Sequence, residues 1–210
     1  MRKKYMYAAI LAMVAFFTCS KNADQKVLSP YSNQVVTATT EPDGEVAAGY
    51  KTYIIKKGDN YCSPNPVVFI TKGQIKFNAI FDSSCIYSTV NPGNQADINK
   101  LYGFSDCNSQ HLINSARIGW RWYNNELQLL AFVHKDGVIQ PDLIITALPI
   151  GTVANCRITC KPTVYEFEVN GHIVQAPRGC SGSYTRYRLY PYFGGDETAP
   201  HDIKILIQNL

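Results

Sequence analysis

Near the C terminus, Tyr184, Arg186, Arg188, Tyr190 and Tyr192 alternate onto one side of a strand-like segment, while Thr185, Tyr187, Leu189 and Phe193 take the other. A second mixed face carries Arg117, Gly119, Arg121 and Tyr123 opposite Phe132, Leu130, Gln128 and Glu126, with His134 beyond at the strand end. Planar guanidinium groups donate paired hydrogen bonds to hydroxyls or a carboxylate, and aromatic rings stack on the apolar face of a sugar. These residue types suit a sugar or a uronate. The competing reading is an outer sheet face whose arginine stems cover tyrosines and stabilise cross-strand pairs.

Catalysis by paired carboxylates, as in glycoside hydrolysis, has Glu126, Asp136, Glu166 and Glu168 to draw on. Glu166 and Glu168 share one side of a segment whose other side holds Tyr165, Phe167 and Val169, an ordinary amphipathic strand. A β-eliminating lyase needs a Tyr or His base and an Arg or Gln against the uronate carboxylate, and Arg121, Gln128, His134 and Tyr187 or Tyr190 supply those types. The four histidines, His111, His134, His172 and His201, stand singly, without the spacing of a metal pair. No clustered acidic loop surrounds Asp82, Asp196 or Asp202. No nucleophile elbow, phosphate loop or dinucleotide fingerprint occurs. The sequence therefore assigns no catalytic residue, no cofactor and no metal.

Positioning such faces is work for strands. The chain has 14 Tyr and 9 Phe, and beyond its first residues no apolar segment keeps a helical period. Period-2 segments run over 67–71, 74–81, 116–123, 126–134, 143–148, 153–160, 164–169, 172–176, 184–190 and 203–207. Lys72-Gly73, Asn124-Asn125, Asp136-Gly137 and Asn170-Gly171 mark turns between them. The expected fold is all-β, a two-sheet antiparallel sandwich of jelly-roll type with at most one short helix, over 95–101. Around Asn124-Asn125 the register pairs Trp122 with Leu127, Trp120 with Leu129, Ile118 with Ala131 and Ala116 with Val133, which makes the tryptophans core anchors.

Seven cysteines divide by position. Taken as a two-residue turn, Lys72-Gly73 brings Cys62 alongside Cys85. Asn170-Gly171 likewise brings Cys160 next to Cys180. Cys156 and Cys160, about 13 Å apart in a strand, exceed the roughly 7 Å Cα limit of a bridge. Cys107 is left for Cys156. Six cysteines in an exported domain read as disulfides before zinc.

The seventh, Cys19, follows Arg2-Lys3-Lys4 and a 12-residue apolar run over 6–17, too short for the roughly 20 residues that span a bilayer. A cysteine at that place resembles the lipobox of bacterial lipoproteins, although Phe16 and Thr18 stand where that motif has leucine and a small residue. The resemblance implies a signal peptide over 1–18, lipid (palmitate) on Cys19, and a polar tether over 19–48 ahead of a β-sandwich domain over 49–210. Ser20, rather than aspartate, implies the outer membrane. Losing Arg2, Lys3 and Lys4 lowers the formal charge from +4 to +1. No basic patch interleaved with aromatics remains, so nucleic acid is excluded as a partner.

Residues 190–207 (YPYFGGDETAPHDIKILI) resemble the loop and closing strand of bacterial concanavalin-like jelly rolls. With 97–105 (DINKLYGFS) and 114–122 (NSARIGWRW), they are similar to a family of uncharacterised lipoproteins from Bacteroidota-type bacteria. The resemblance implies a fold and a surface or periplasmic setting, and transfers no catalytic residue. The first reading is a membrane-anchored envelope lipoprotein that binds a glycan or another envelope component without catalysis. Its ligand contacts are Arg117, Arg121, Tyr123, Gln128, His134, Tyr184, Arg186, Arg188 and Tyr190. The alternatives are a polysaccharide-active enzyme, lyase before hydrolase, and a structural or assembly lipoprotein.

Overall fold

The computed structural model describes residues 48–210. The expectations for the leader over 1–18, for Cys19 and for the tether over 19–48 lie outside the described residues, Ala48 excepted.

In chain order the strands are β1 (Lys51–Ile55), β2 (Cys62–Ser63), β3 (Phe69–Ile70), β4 (Gln74–Phe81), β5 (Asn99–Ser105), β6 (Ser115–Tyr123), β7 (Glu126–Lys135), β8 (Val138–Ile139), β9 (Leu143–Leu148), β10 (Val153–Cys160), β11 (Val164–Val169), β12 (His172–Pro177), β13 (Arg186–Leu189) and β14 (Ile203–Asn209). One antiparallel sheet runs β12-β11-β10-β4-β14-β1-β2. The other runs β3-β13-β5-β6-β7-β8, with β9 also on β7. This is the expected all-β sandwich.

Alternation explains which sides meet. Ile75, Phe77, Ala79 and Phe81 of β4 and Ile203, Ile205 and Ile207 of β14 are buried between the sheets. Facing them, β6 and β7 bury Ala116, Ile118, Trp120, Leu127, Leu129, Ala131 and Val133. Aromatic contacts cross the interface: Phe81 to Trp120 at 5.4 Å, Phe77 to Tyr102 at 4.9 Å and Phe104 to Tyr165 at 6.3 Å between ring centroids. Such pairs add directional stabilisation to the burial itself. The β6–β7 register is the expected one at all four pairs, and Trp120 is fully buried.

The three Asn/Asp-centred turns form as read. Asn124 and Asn125 have φ of 54° and 61°, Asp136 and Gly137 52° and 82°, and Asn170 and Gly171 48° and 85°. Two consecutive positive-φ residues form the type I′ turn that matches hairpin twist. Lys72-Gly73 does something else. β3 pairs with β13 in one sheet and β4 with β10 and β14 in the other, so the chain crosses between sheets there.

That crossing removes the basis for a Cys62–Cys85 bridge, and the other two expected pairs are not formed either. The bridge is Cys107–Cys180, with Cα atoms 5.8 Å apart, while Cys62, Cys85, Cys156 and Cys160 are thiols. Cys62 pairs along the backbone with Ile55 of β1, and Cys85, at the end of the 3-10 turn Ser83–Cys85, points its sulfur at the Lys204 carbonyl of β14. Cys156 points into the core; Cys160 pairs along the backbone with Tyr165 of β11, and its sulfur lies against the same Asp106 oxygen as that of Cys180, at 3.9 and 3.8 Å, but Cys107 takes the bridge. Cys107, at φ 57° in the loop after β5, is the sulfur brought to Cys180.

The helix expected over 95–101 is absent. A short 3-10 turn, Pro92–Asn94, precedes β5, which lies between β13 and β6 in the centre of its sheet. Pairing on both sides overrides local preference. β1, β5 and the two-residue β2 and β8 are strands the alternation did not pick out.

Candidate functional site

The outer face of the second sheet carries a groove of about 570 Å³. Its floor comes from β5, β6 and β7. A bulge in β5 between Lys100 and Tyr102 turns both Leu101 and Tyr102 into the core and leaves Lys100 outside. On β6 and β7, the alternation that buries Ala116, Ile118 and Val133 turns Arg117, Phe132 and His134 to the outer side. Phe132 is the hub: Lys100 Nζ lies 4.6 Å from its ring centroid, the Arg117 guanidinium 5.1 Å, and the His134 ring 5.3 Å.

The walls come from loops and from β13. Backbone hydrogen bonds link Lys100 and Tyr192 in both directions, at 2.8 and 2.9 Å, and set Tyr192 beside the ammonium. Tyr61 meets Tyr192 edge-on at 5.0 Å. Across the groove, the Tyr187 hydroxyl accepts the His111 backbone N–H at 2.7 Å and lies 2.9 Å from His111 Nδ1.

Electrostatically the floor is positive, with Asp97 and Asp142 offsetting Lys100 only from beyond ion-pair distance. Among the described residues, no carboxylate comes within ion-pair distance of Lys100 or Arg117. Arg117 is buried, and its Nε has no hydrogen-bond partner. Burial, then repulsion from Arg117, pulls Lys100 down from 10.5 to about 8. Desolvation, reinforced by Arg117, His111 and Lys100, pulls His134 down to about 4 and keeps its imidazole neutral. His111 is lowered by burial and by Arg117, and Arg117 itself falls to about 10 through burial.

Of the ligand contacts expected from sequence, Arg117, His134, Arg188 and Tyr190 border this groove. Arg121, Tyr123 and Gln128 stand further along the same sheet face and satisfy one another. Arg121 donates to Gln128 Oε1 and the Ala96 carbonyl, both at 2.8 Å, and lies over the Tyr123 ring. Tyr184 lies beside Arg178 instead.

Arg186 is turned inward, opposite to the outward face expected of it. With Arg178 it flanks the fully buried Asp106: Arg178 Nε donates at 2.7 Å, Arg186 Nε ion-pairs at 2.8 Å, and the Tyr165 hydroxyl donates at 3.0 Å. Arg188 and Tyr190 follow it inward, the first over the Tyr102 ring and the second between Tyr53 and Tyr102. β13 therefore gives the groove Tyr187, Arg188 and Leu189, while the Arg186 head is taken by Asp106. Lys100 and Tyr61 are site residues the sequence did not single out, and Phe132, Tyr192 and His111 were noted there without being named as ligand contacts. Lys100 was hidden by the bulge, and His111 by a loop without periodicity.

No protein-family model and no curated protein sequence matches this chain. Among solved structures, the chain is similar to the alginate lyase AlyC3, with a TM-score of 0.50 at 10% identity over 74% of this chain and 71% of that one. The fold is a concanavalin-like jelly roll. A family 7 alginate lyase, A1-II', in complex with product matches with a TM-score of 0.49 at 9% identity over 80% of this chain and 86% of that one. The catalytic domain of an endo-1,3-beta-glucanase (laminarinase) from Thermotoga petrophila matches with a TM-score of 0.48 at 12% identity over 81% and 79%.

Proposed function

We propose that the protein acts on an acidic polysaccharide in this groove and cleaves it by β-elimination. One observation carries the reading: Lys100, Arg117, His111 and His134 converge with tyrosines in a groove that, among the described residues, no aspartate or glutamate borders. A buried, unpaired guanidinium costs free energy unless an anion joins it, and a uronate carboxylate is such an anion. Glycoside hydrolysis needs two carboxylates flanking the bond. Glu126, Asp136, Glu166 and Glu168 do not border the groove, and Glu168 pairs with Arg157 and Glu166 with Lys161 on the other sheet. AlyC3, which shares the fold, is an alginate lyase, and that agrees with the reading.

Elimination asks for a countercharge on the carboxylate, a base for the C5 proton and a proton for the departing C4 oxygen. Arg117 and Lys100 serve the first need. The neutral His134 imidazole accepts the C5 proton, and the Tyr187 phenol, held by His111, gives its proton to the leaving oxygen. The C5–H and C4–O bonds break as the C4=C5 double bond forms. The imidazolium then returns its proton to the tyrosinate through solvent, so no water, oxidant or metal is consumed.

The test is ultraviolet absorbance of unsaturated uronate when the protein meets polymannuronate, polyguluronate, polygalacturonate and a neutral β-glucan. Product is expected from a uronate polymer alone, and Arg117→Ala is expected to lower kcat/KM by about 100-fold or more. Retention without product would restore non-catalytic binding, and cleavage of the neutral glucan would overturn the reading. The sequence of residues 1–48 extends the proposal to the bacterial cell envelope, with lipid on Cys19. Labelled palmitate is expected to mark the wild-type protein and not Cys19→Ser.

A further inference from the structure

Three separate segments bring aliphatic side chains to this groove and leave them in water. Val67, between β2 and β3, is 79% exposed, while Leu112, in the β5–β6 loop, and Ile139, on β8, are each 56% exposed. All three border the same groove as Lys100 and Arg117. Single apolar side chains on a surface need no explanation, but a set converging on one opening does.

A bare polyuronate does not answer it. Hydroxyls and carboxylates pressed against aliphatic groups give up water without a replacement hydrogen bond. The flat apolar faces of the sugar rings are already served by Tyr61, Tyr187 and Tyr192. Valine, leucine and isoleucine accept compact methyl-bearing groups, and O-acyl esters that leave the uronate carboxylate free for Lys100 and Arg117 are such groups, acetyl being among the smallest.

We infer that the groove selects an O-acetylated acidic polysaccharide, with carboxylate against Lys100 and Arg117 and acetyl methyls against Val67, Leu112 and Ile139. The inference rests on the polysaccharide reading above and goes beyond it in naming the decoration. Each acetyl methyl removed from water contributes about fourfold in kcat/KM.

The probes are O-acetylated polymannuronate and the same polymer deacetylated with mild alkali, compared by kcat/KM for unsaturated product. Wild type is expected to favour the acetylated polymer by about fourfold or more. The triple variant Val67→Ser, Leu112→Ser, Ile139→Thr is expected to lose that preference with an unchanged thermal midpoint, because the three side chains are exposed. Equal or faster cleavage of the deacetylated polymer by wild type overturns the inference and leaves the elimination reading intact. Product from neither polymer overturns elimination instead, and the comparison then passes to retention on columns of the two polymers. Stronger retention by the acetylated polymer supports the aliphatic rim, and equal or absent retention rejects it.

Discussion

Lys100→Met is expected to make the protein more stable and less able to hold an acidic glycan. The ammonium sits over Phe132 without a counter-ion, and its pKa lies near 8 against the usual 10.5. Between those values the unfolded chain holds more protons than the folded one, so this group makes stability rise with pH from about 8 to 10.5 and exacts its full cost below 8. A pH unit corresponds to about 1.4 kcal/mol, which gives an upper bound of about 3 kcal/mol. Because part of the ammonium stays in water, the expected gain for methionine, of similar length and apolar, is about 1–2 kcal/mol. For a domain of this size that is roughly 3–6 °C in Tm at pH 7. The assay is thermal unfolding of both proteins at pH 7 and above pH 10.5, with retention on polymannuronate measured alongside. The Tm advantage is expected to vanish at the higher pH, where wild-type Lys100 is neutral in both states. A lower Tm for Lys100→Met at pH 7, or an advantage independent of pH, would refute the claim that a half-buried ammonium without an ion-pair partner lines the groove.

Three other outcomes follow from the same physics. Asp106→Asn leaves Arg178 and Arg186, with side chains 2% and 1% exposed, without their countercharge, and urea titration is expected to show a loss of about 3–5 kcal/mol. His134 titrates near 4 folded against 6.5 unfolded, so stability is expected to fall as pH drops through that window, by about 1–3 kcal/mol in total, and His134→Gln should flatten that slope. Non-reducing peptide mapping is expected to find Cys107 joined to Cys180 and to label Cys62, Cys85 and Cys156 only after unfolding, since all three are buried.

What the sequence reveals depends on whether a short-range rule applies. The β6–β7 hairpin was legible residue by residue, because strict alternation and a two-residue Asn turn fix both register and facing. Arg117 and His134 reached the site through that rule. Alternation on β13 grouped Arg186, Arg188 and Tyr190 correctly but did not say that this face looks inward, and it breaks beyond Tyr190, where Tyr192 joins the groove and Phe193 the core. Asp106, distant in sequence, decides it by drawing Arg186 into the core. Lys100 escaped notice because the β5 bulge breaks the period of two just where it stands. The Cys62–Cys85 pairing failed for a related reason: a glycine turn marks where a chain reverses, not whether its strands stay in one sheet, as β3 and β4 do not.

The central claim is elimination on an acidic polysaccharide, and mass spectrometry of the released oligosaccharides tests it most directly. Oligosaccharides that carry a C4=C5 double bond at the non-reducing end, each one water lighter than a hydrolysis product, are the expected result from a uronate polymer. Saturated fragments, or a polymer left intact across the uronate panel at neutral pH, would contradict it.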